Sequence, residues 1–244
     1  QMILVFYSAA SRGFANHGWL QANHSFSFAN YHDPQKMNFG ALRVLNDDLI
    51  APSMGFGTHP HDNMEIITIP LSGLLKHKDS MGNSWEEVKA GEVQVMSAGT
   101  GIQHSEINGS ATESLSLFQI WIVPNKRNVR PRYDQHFFEP SPDGALQILV
   151  SSIDNVSKDA SLKIHQDAQI SKINLAANSS YTYNLKSSHH GVYVMQVFGV
   201  SKIETTELQS RDAAGVSEVK DFKIESIEDS QLLFIEVPVS FNES

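Results

Sequence analysis

The stretch GFGTHPHDNMEIITIPLSG, Gly55 to Gly73, sets two histidines one residue apart, His59 and His61, just before an apolar run that alternates as a β-strand does. Further along, AGTGIQHSE, Ala98 to Glu106, repeats the arrangement with His104 and Glu106. Residues i and i+2 of a strand share a face, so each pair presents two donor groups on one side. If the two strands face the same barrel interior, three imidazoles and a carboxylate converge. That set suits a divalent first-row metal and leaves positions open on a six-coordinate ion. Gly55, Gly57, Gly73, Gly91, Gly99 and Gly101 bracket both pairs, as sharp strand corners and close backbone approach require. A lone His-x-His is a weak signal, and any one of the 11 histidines alone is more often a core or surface residue. Two such pairs in glycine-rich strand settings tip the balance toward metal.

Working outward, MILVFY, FGALRVLN, EVQVMSAG, LSLFQIWIVP, ALQILVS, VYVMQVFGV and LLFIEVP are short runs rich in β-branched and aromatic residues, separated by turn residues. DSMGN, residues 79–83, marks a hairpin in which Gly82 or Asn83 can take a positive φ. No segment holds a helical period beyond about two or three turns. The expected class is therefore all-β, a sandwich or barrel rather than a parallel sheet with crossover helices. A boundary falls between Pro124 and Pro142, where Pro, Arg, Asn and Asp cluster. The halves expected are residues 1–134, carrying metal, and 135–244, without it. His189 and His190 are adjacent and so face opposite ways on a strand, and His165 has no partner pair.

At 244 residues and 41% hydrophobic, the chain can bury a substantial core. Eighteen basic against 27 acidic residues give a net charge of −9, which disfavours direct nucleic-acid binding. The one basic run, NKRNVRPR (residues 125–132), reads as a solvated loop. With no cysteine, any metal is held by nitrogen and oxygen. The apolar opening is too short to span a bilayer and reads as a first strand, so the expectation is a cytoplasmic protein without a membrane segment.

His59, His61, Glu65 and Gly73, followed by Gly91, Gly99 and His104, resemble the two cupin motifs. The fuller strings GFGTHPHDNMEIITIPLSG, HKDSMGN, AGEVQVMSAGTGIQHSE and FANHGWLQANHSFSFANYHDP resemble the pirin family, its bacterial pirin-like members in particular, over roughly Arg12 to Tyr133. The resemblance implies a bicupin: two face-to-face, jelly-roll-like β-barrels with one divalent metal in the first. Iron is foremost, with copper, nickel, cobalt, manganese or zinc as alternatives. It further implies a quercetin 2,3-dioxygenase-type activity, opening a flavonol with O2 and releasing carbon monoxide. The alternative is a regulatory metal protein with a protein partner, as eukaryotic pirins are. The chain departs from the general cupin pattern: Ser97 stands where proline is usual, and four residues separate Gly99 from His104. An ordinary cupin would use Glu65 as its carboxylate, whereas pirin-like proteins use the position of Glu106. Counting along a strand does not separate the two, and the resemblance favours Glu106 as ligand and catalytic proton acceptor, with Glu65 orienting an imidazole. Trp19, Phe26, Phe28, Tyr31, Met54 and Phe56 are candidates for an aromatic substrate slot or for ordinary core. His24, His32 and His77 are supporting or surface groups.

Overall fold

The period-2 runs form four sheets in the computed structural model, which describes residues 1–82, 84–155 and 159–240. Among the described residues the only helical turn is the 3-10 segment Ala9–Ser11. In the first half a seven-stranded sheet runs in the order Arg132–Phe137, Glu92–Ser97, Glu65–Ser72, Leu115–Ile122, Leu42–Ile50, Leu20–His24, Gly13–Asn16. It faces a four-stranded sheet of Gly55–His61, Ile102–Asn108, Leu74–Asp79 and Glu86–Lys89. The chain passes between the two at Gly73, whose φ is +94° and where a Cβ would lie 2.8 Å from the Ser114 carbonyl oxygen. Only glycine turns that corner without strain.

The second half repeats the plan with a seven-stranded and a four-stranded sheet. The division between residues 134 and 135 does not coincide with sheet membership. Ile3–Tyr7 is indeed a strand, but it pairs with Ala213–Ser217 in the second half's large sheet. There Met2 and Leu4 pack on that half's core and the Tyr7 ring lies 5.4 Å from Tyr193. Arg132–Phe137 straddles the division and pairs with Glu92–Ser97 in the first half. The hairpin forms between Leu74–Asp79 and Glu86–Lys89. Gly82 takes no positive φ in it, and Asn83 lies outside the described residues.

The two large sheets pack against each other. One cluster joins Phe26, Ile67, Phe118 and Ile120 of the first half to Ile170, Tyr193, Leu233 and Ile235 of the second. Central strands such as His190–Phe198 are consequently buried on both faces, which is why they read as near-continuous apolar runs. Along Glu65–Ser72 the odd residues Ile67 and Ile69 face the second half, while Ile66 and Thr68 face the first barrel.

That parity corrects the expected role of Glu65. It orients no imidazole: its carboxylate faces the second half and accepts hydrogen bonds from the Ser97 hydroxyl, at 3.0 Å, and the His165 backbone N–H. Counting from His61 misleads because the chain turns between the two strands, with Asn63 at φ +43°. Burial pushes the Glu65 carboxyl up from 4.5 to about 7, against the opposing pull of its His165 and Ser97 bonds and of Arg132. A raised carboxyl keeps in the folded state a proton that the unfolded chain gives up. Stability therefore falls as pH rises from about 4.5 to about 7, by about 3 kcal/mol in total. Glu65→Gln keeps the acceptor oxygen and removes the buried charge. Calorimetry should show it raising Tm at pH 8 by roughly 5–10 °C and hardly at all at pH 5; equal shifts at the two pH values would contradict the assignment.

Candidate metal centre

His59 and His104 are direct cross-strand partners, and His61 pairs with Ile102 on the same two strands. The imidazoles of all three project to the interior. The Nε2 atoms of His104 and His59 lie 2.8 Å apart, those of His61 and His104 3.0 Å apart. The carbonyl of Gly57 sits 2.7 Å from Nδ1 of His59 and can only accept, so Nδ1 donates to it and Nε2 is the atom turned to the centre. Burial pushes both His61 and His104 down to about 4, with the neighbouring imidazoles adding to the effect, so both rings are neutral at physiological pH. Three imidazole nitrogens crowded within hydrogen-bond distance compete for too few acceptors and donors to satisfy one another, whereas one cation satisfies all three. The donor set thus fits a divalent first-row ion.

Glu106 does not join that triangle. It groups instead with His104 and His77, its Oε1 lying 4.0 Å from His104 Nδ1 and its Oε2 4.0 Å from His77 Nδ1. Both Nδ1 atoms are buried without a hydrogen-bond partner, which leaves the space around the carboxylate incompletely used. The carboxylate is cradled from the facing sheet: Gln119 donates to Oε1 at 3.0 Å and Gln94 to Oε2 at 3.1 Å. Burial alone would raise Glu106, but the polar contact with His77, the neighbouring His104 ring, which is charged only in acid, and the Gln94 amide outweigh it and hold the carboxyl near 2. Behind it, His77 Nε2 lies 2.7 Å from Asp79 Oδ2. Burial works to lower His77, yet Glu106 and Asp79 leave it above its ordinary value.

Strand register explains the cradle. Gln135, Gln94, Thr68, Gln119, Asn46 and His24 stand opposite one another on successive strands, forming one polar row across the barrel wall. Gln94 and Gln119 both also donate to Thr68 Oγ1, at 3.3 and 3.2 Å. Gln94, Thr68 and Gln119 carry no motif. Their trace is a polar residue at an inward position of an apolar strand, as in EVQVMS and SLFQIWI, where a buried amide needs a partner.

A cavity of about 350 Å³ opens on the triad. Of the aromatic candidates, Phe28 and Phe56 line it, joined by Trp121, whose ring lies 5.1 Å edge-on from His61. Phe26 is buried between the halves, Trp19 packs behind Phe56 at 5.3 Å, Tyr31 stacks on His24 at 6.3 Å, and Met54 is exposed. His24 lines the cavity and bonds Asn46 at 2.8 Å, His77 backs Glu106, and His32 is exposed. Asp48 also lines the cavity; burial, then Asp47 and Glu106, push its carboxyl up to about 7. In the second barrel Tyr183, Phe222 and Phe234 fill the interior, and His190 is held between Glu236 and Asp167 at 2.6 and 2.9 Å. Residues 125–128 of the basic run are exposed, and Arg132 donates to the Lys163 carbonyl at 2.5 Å. No helix among the described residues is long and apolar enough to cross a membrane.

Two cupin-type barrels packed face to face, with an imidazole cluster inside the first, define a bicupin. The pirin family matches residues 7–122, and a family described as the quercetinase C-terminal cupin domain matches residues 149–237. A quercetin 2,3-dioxygenase of Escherichia coli is 44% identical over 94% of this chain and 96% of its own. A pirin-like protein of Caulobacter vibrioides is 42% identical over 92% and 95%. The crystal structure of the bacterial pirin YhhW of Escherichia coli in complex with nickel(II) superposes with a TM-score of 0.91, at 40% identity, covering 98% of this chain and 100% of that one. The chain belongs to the pirin family.

Proposed function

We propose that this protein is a metal-dependent dioxygenase that opens the heterocycle of a flavonol such as quercetin with O2 and releases carbon monoxide. The observation that carries the reading is the convergence of three imidazoles on an aromatic-walled cavity, with a buried carboxylate alongside. His59, His61, His104 and Glu106 would hold one divalent ion, Glu106 closing on it from its cradle. The nickel(II) complex of YhhW and the quercetin dioxygenase relative support both the ion and the reaction class.

When bound, the ion supplies a Lewis acid that lowers the pKa of the flavonol 3-hydroxyl. The residues do the rest. Imidazoles ligate as uncharged donors, so a set of three with one carboxylate would contribute a single negative charge and leave a divalent ion with a net attraction for an anionic substrate oxygen. His59 and His61 are half-buried while His104 and Glu106 are enclosed, so the substrate approaches from the His59 and His61 side. Phe28, Phe56 and Trp121 exclude water and hold a flat ring system. Glu106 is the proton acceptor when its carboxylate stands off the ion and out of its cradle: there it loses the contacts that hold it near 2 while staying buried, and gains proton affinity.

Metal-loaded protein with quercetin in an oxygen electrode should consume O2 and release carbon monoxide in equal amounts, the latter read by its binding to reduced haemoglobin. Tight metal binding without O2 uptake, for every flavonol and each of iron, nickel, copper, cobalt and manganese, would overturn the dioxygenase reading and leave a regulatory metal protein.

A further inference from the structure

Asp48 and its neighbour Asp47 face opposite environments. Asp47 is paired with two guanidinium groups, Arg12 at 2.9 Å and Arg211 at 3.0 Å. Asp48 is 5% exposed and points into the first barrel; its Oδ1 is buried with no hydrogen-bond partner, and no cation among the described residues pairs with it. Its cross-strand neighbours are Ala22 and Leu117, one rung from the row in which Asn46 faces Gln119, the residue that bonds Glu106. Two residues along a strand is about 7 Å, so Asp48 stands roughly that far along the wall from the Glu106 cradle. Leu20, Ala22 and Leu117 make its surroundings apolar. An unsatisfied carboxyl in such a setting destabilises the fold, and natural chains tolerate that mostly where a ligand completes the site.

We propose that Asp48 is a specificity-determining contact of this cavity, hydrogen-bonding a ring hydroxyl of a planar aromatic substrate whose other end sits at the imidazole triad. The inference rests on the cavity being the flavonol site. A hydroxyl is the fitting partner because it both donates and accepts, so it meets Asp48 in either protonation state. Aromatic walls at Phe28, Phe56 and Trp121 favour a flat ring over an aliphatic chain. A site built to bond a hydroxyl discriminates strongly against an analogue lacking it, since the polar group is then left buried and unpaired.

The test compares quercetin, hydroxylated on both outer rings, with 3-hydroxyflavone, which keeps only the hydroxyl adjacent to the carbonyl. Affinities are measured without oxygen on nickel-loaded protein, by quenching of tryptophan fluorescence. Wild-type protein should prefer quercetin, and Asp48→Leu should shrink that preference by roughly 10–100-fold while raising Tm by about 2–4 °C. Asp48→Asn, which still donates and accepts, should restore most of the preference and guards against misfolding of the leucine variant. A preference unchanged within twofold in Asp48→Leu, or a wild-type protein that binds neither flavonol, would overturn the assignment. Because binding is read without turnover, a protein that binds both flavonols but oxidises neither overturns the dioxygenase reading alone and still decides the role of Asp48.

Discussion

His61→Ala and Glu106→Ala should each lower metal affinity by on the order of 100-fold or more, taking purified protein from about one equivalent per chain to a small fraction of that. Residues that merely support ligands typically cost 10–100-fold when removed, and these two are assigned as ligands themselves. Their routes to loss differ. His61 contributes a neutral nitrogen 3.0 Å from that of His104, so its removal opens one side of the triangle. Glu106 contributes the only charge of the set, and its loss also strands the Gln94 and Gln119 amides inside the barrel. Glu106→Ala should therefore lower Tm even without metal, by about 1–3 kcal/mol in stability, whereas His61→Ala should leave apo stability nearly unchanged. Equal metal content in wild type and both variants would refute the ligand assignment, and a stable metal-free Glu106→Ala would refute the cradle.

Gly55→Ala should be nearly as damaging, although Gly55 contacts no metal. A Cβ at this position would lie 2.2 Å from the Glu106 carbonyl oxygen and 2.4 Å from Ile107 Cα, both backbone atoms that cannot step aside. Relief requires the Gly55–His61 strand to move away from Ile102–Asn108, yet those two strands carry His59 and His61 on one side and His104 on the other. Ligands held to within about 0.5 Å are what metal affinity demands. The expected result is a 10–100-fold weaker metal affinity in competition with a chromophoric chelator, with a stability loss of about 1–3 kcal/mol. Gly57→Ala on the same strand is the control: nothing lies within 4 Å of its would-be Cβ and its φ is not positive, so full affinity is expected. Wild-type affinity in Gly55→Ala would show that the approach of the two strands does not set the ligand geometry.

The convergence of His59, His61 and His104 was legible because a strand's period of two is strict and each segment lies within a single strand, whereas the place of Glu106 outside that triangle was not. Glu65 was misread for the complementary reason: it follows His61 across a turn, and parity does not survive a change of strand. Gln94 and Gln119 went unread because each sits in a strand that looks like ordinary core, and Asp48 because it lies past the apolar run FGALRVLN, although the strand continues to Ile50; only register reveals that the first two converge on one carboxylate while Asp48 lines the cavity with its Oδ1 unbonded. The placement of Ile3–Tyr7 in the second half's sheet leaves no local mark, since pairing with Ala213–Ser217 is decided across the whole chain. Phe26 and Phe28 illustrate the same limit. Two residues apart and identical in type, one packs between the halves and the other lines the cavity, because the chain has left the Leu20–His24 strand before either and Phe28 is held in a local bridge with Tyr31.

Anomalous diffraction shows directly whether one cation is gripped inside the first barrel by side chains from two adjacent strands. Crystals of protein purified without added metal would be measured at the absorption edge of whatever ion elemental analysis finds. One anomalous peak per chain is expected, about 2.0–2.2 Å from Nε2 of His59, His61 and His104 and from a carboxylate oxygen of Glu106. A peak at any other group of residues, or imidazoles that stay metal-free in crystals soaked with nickel, iron and copper, would contradict it.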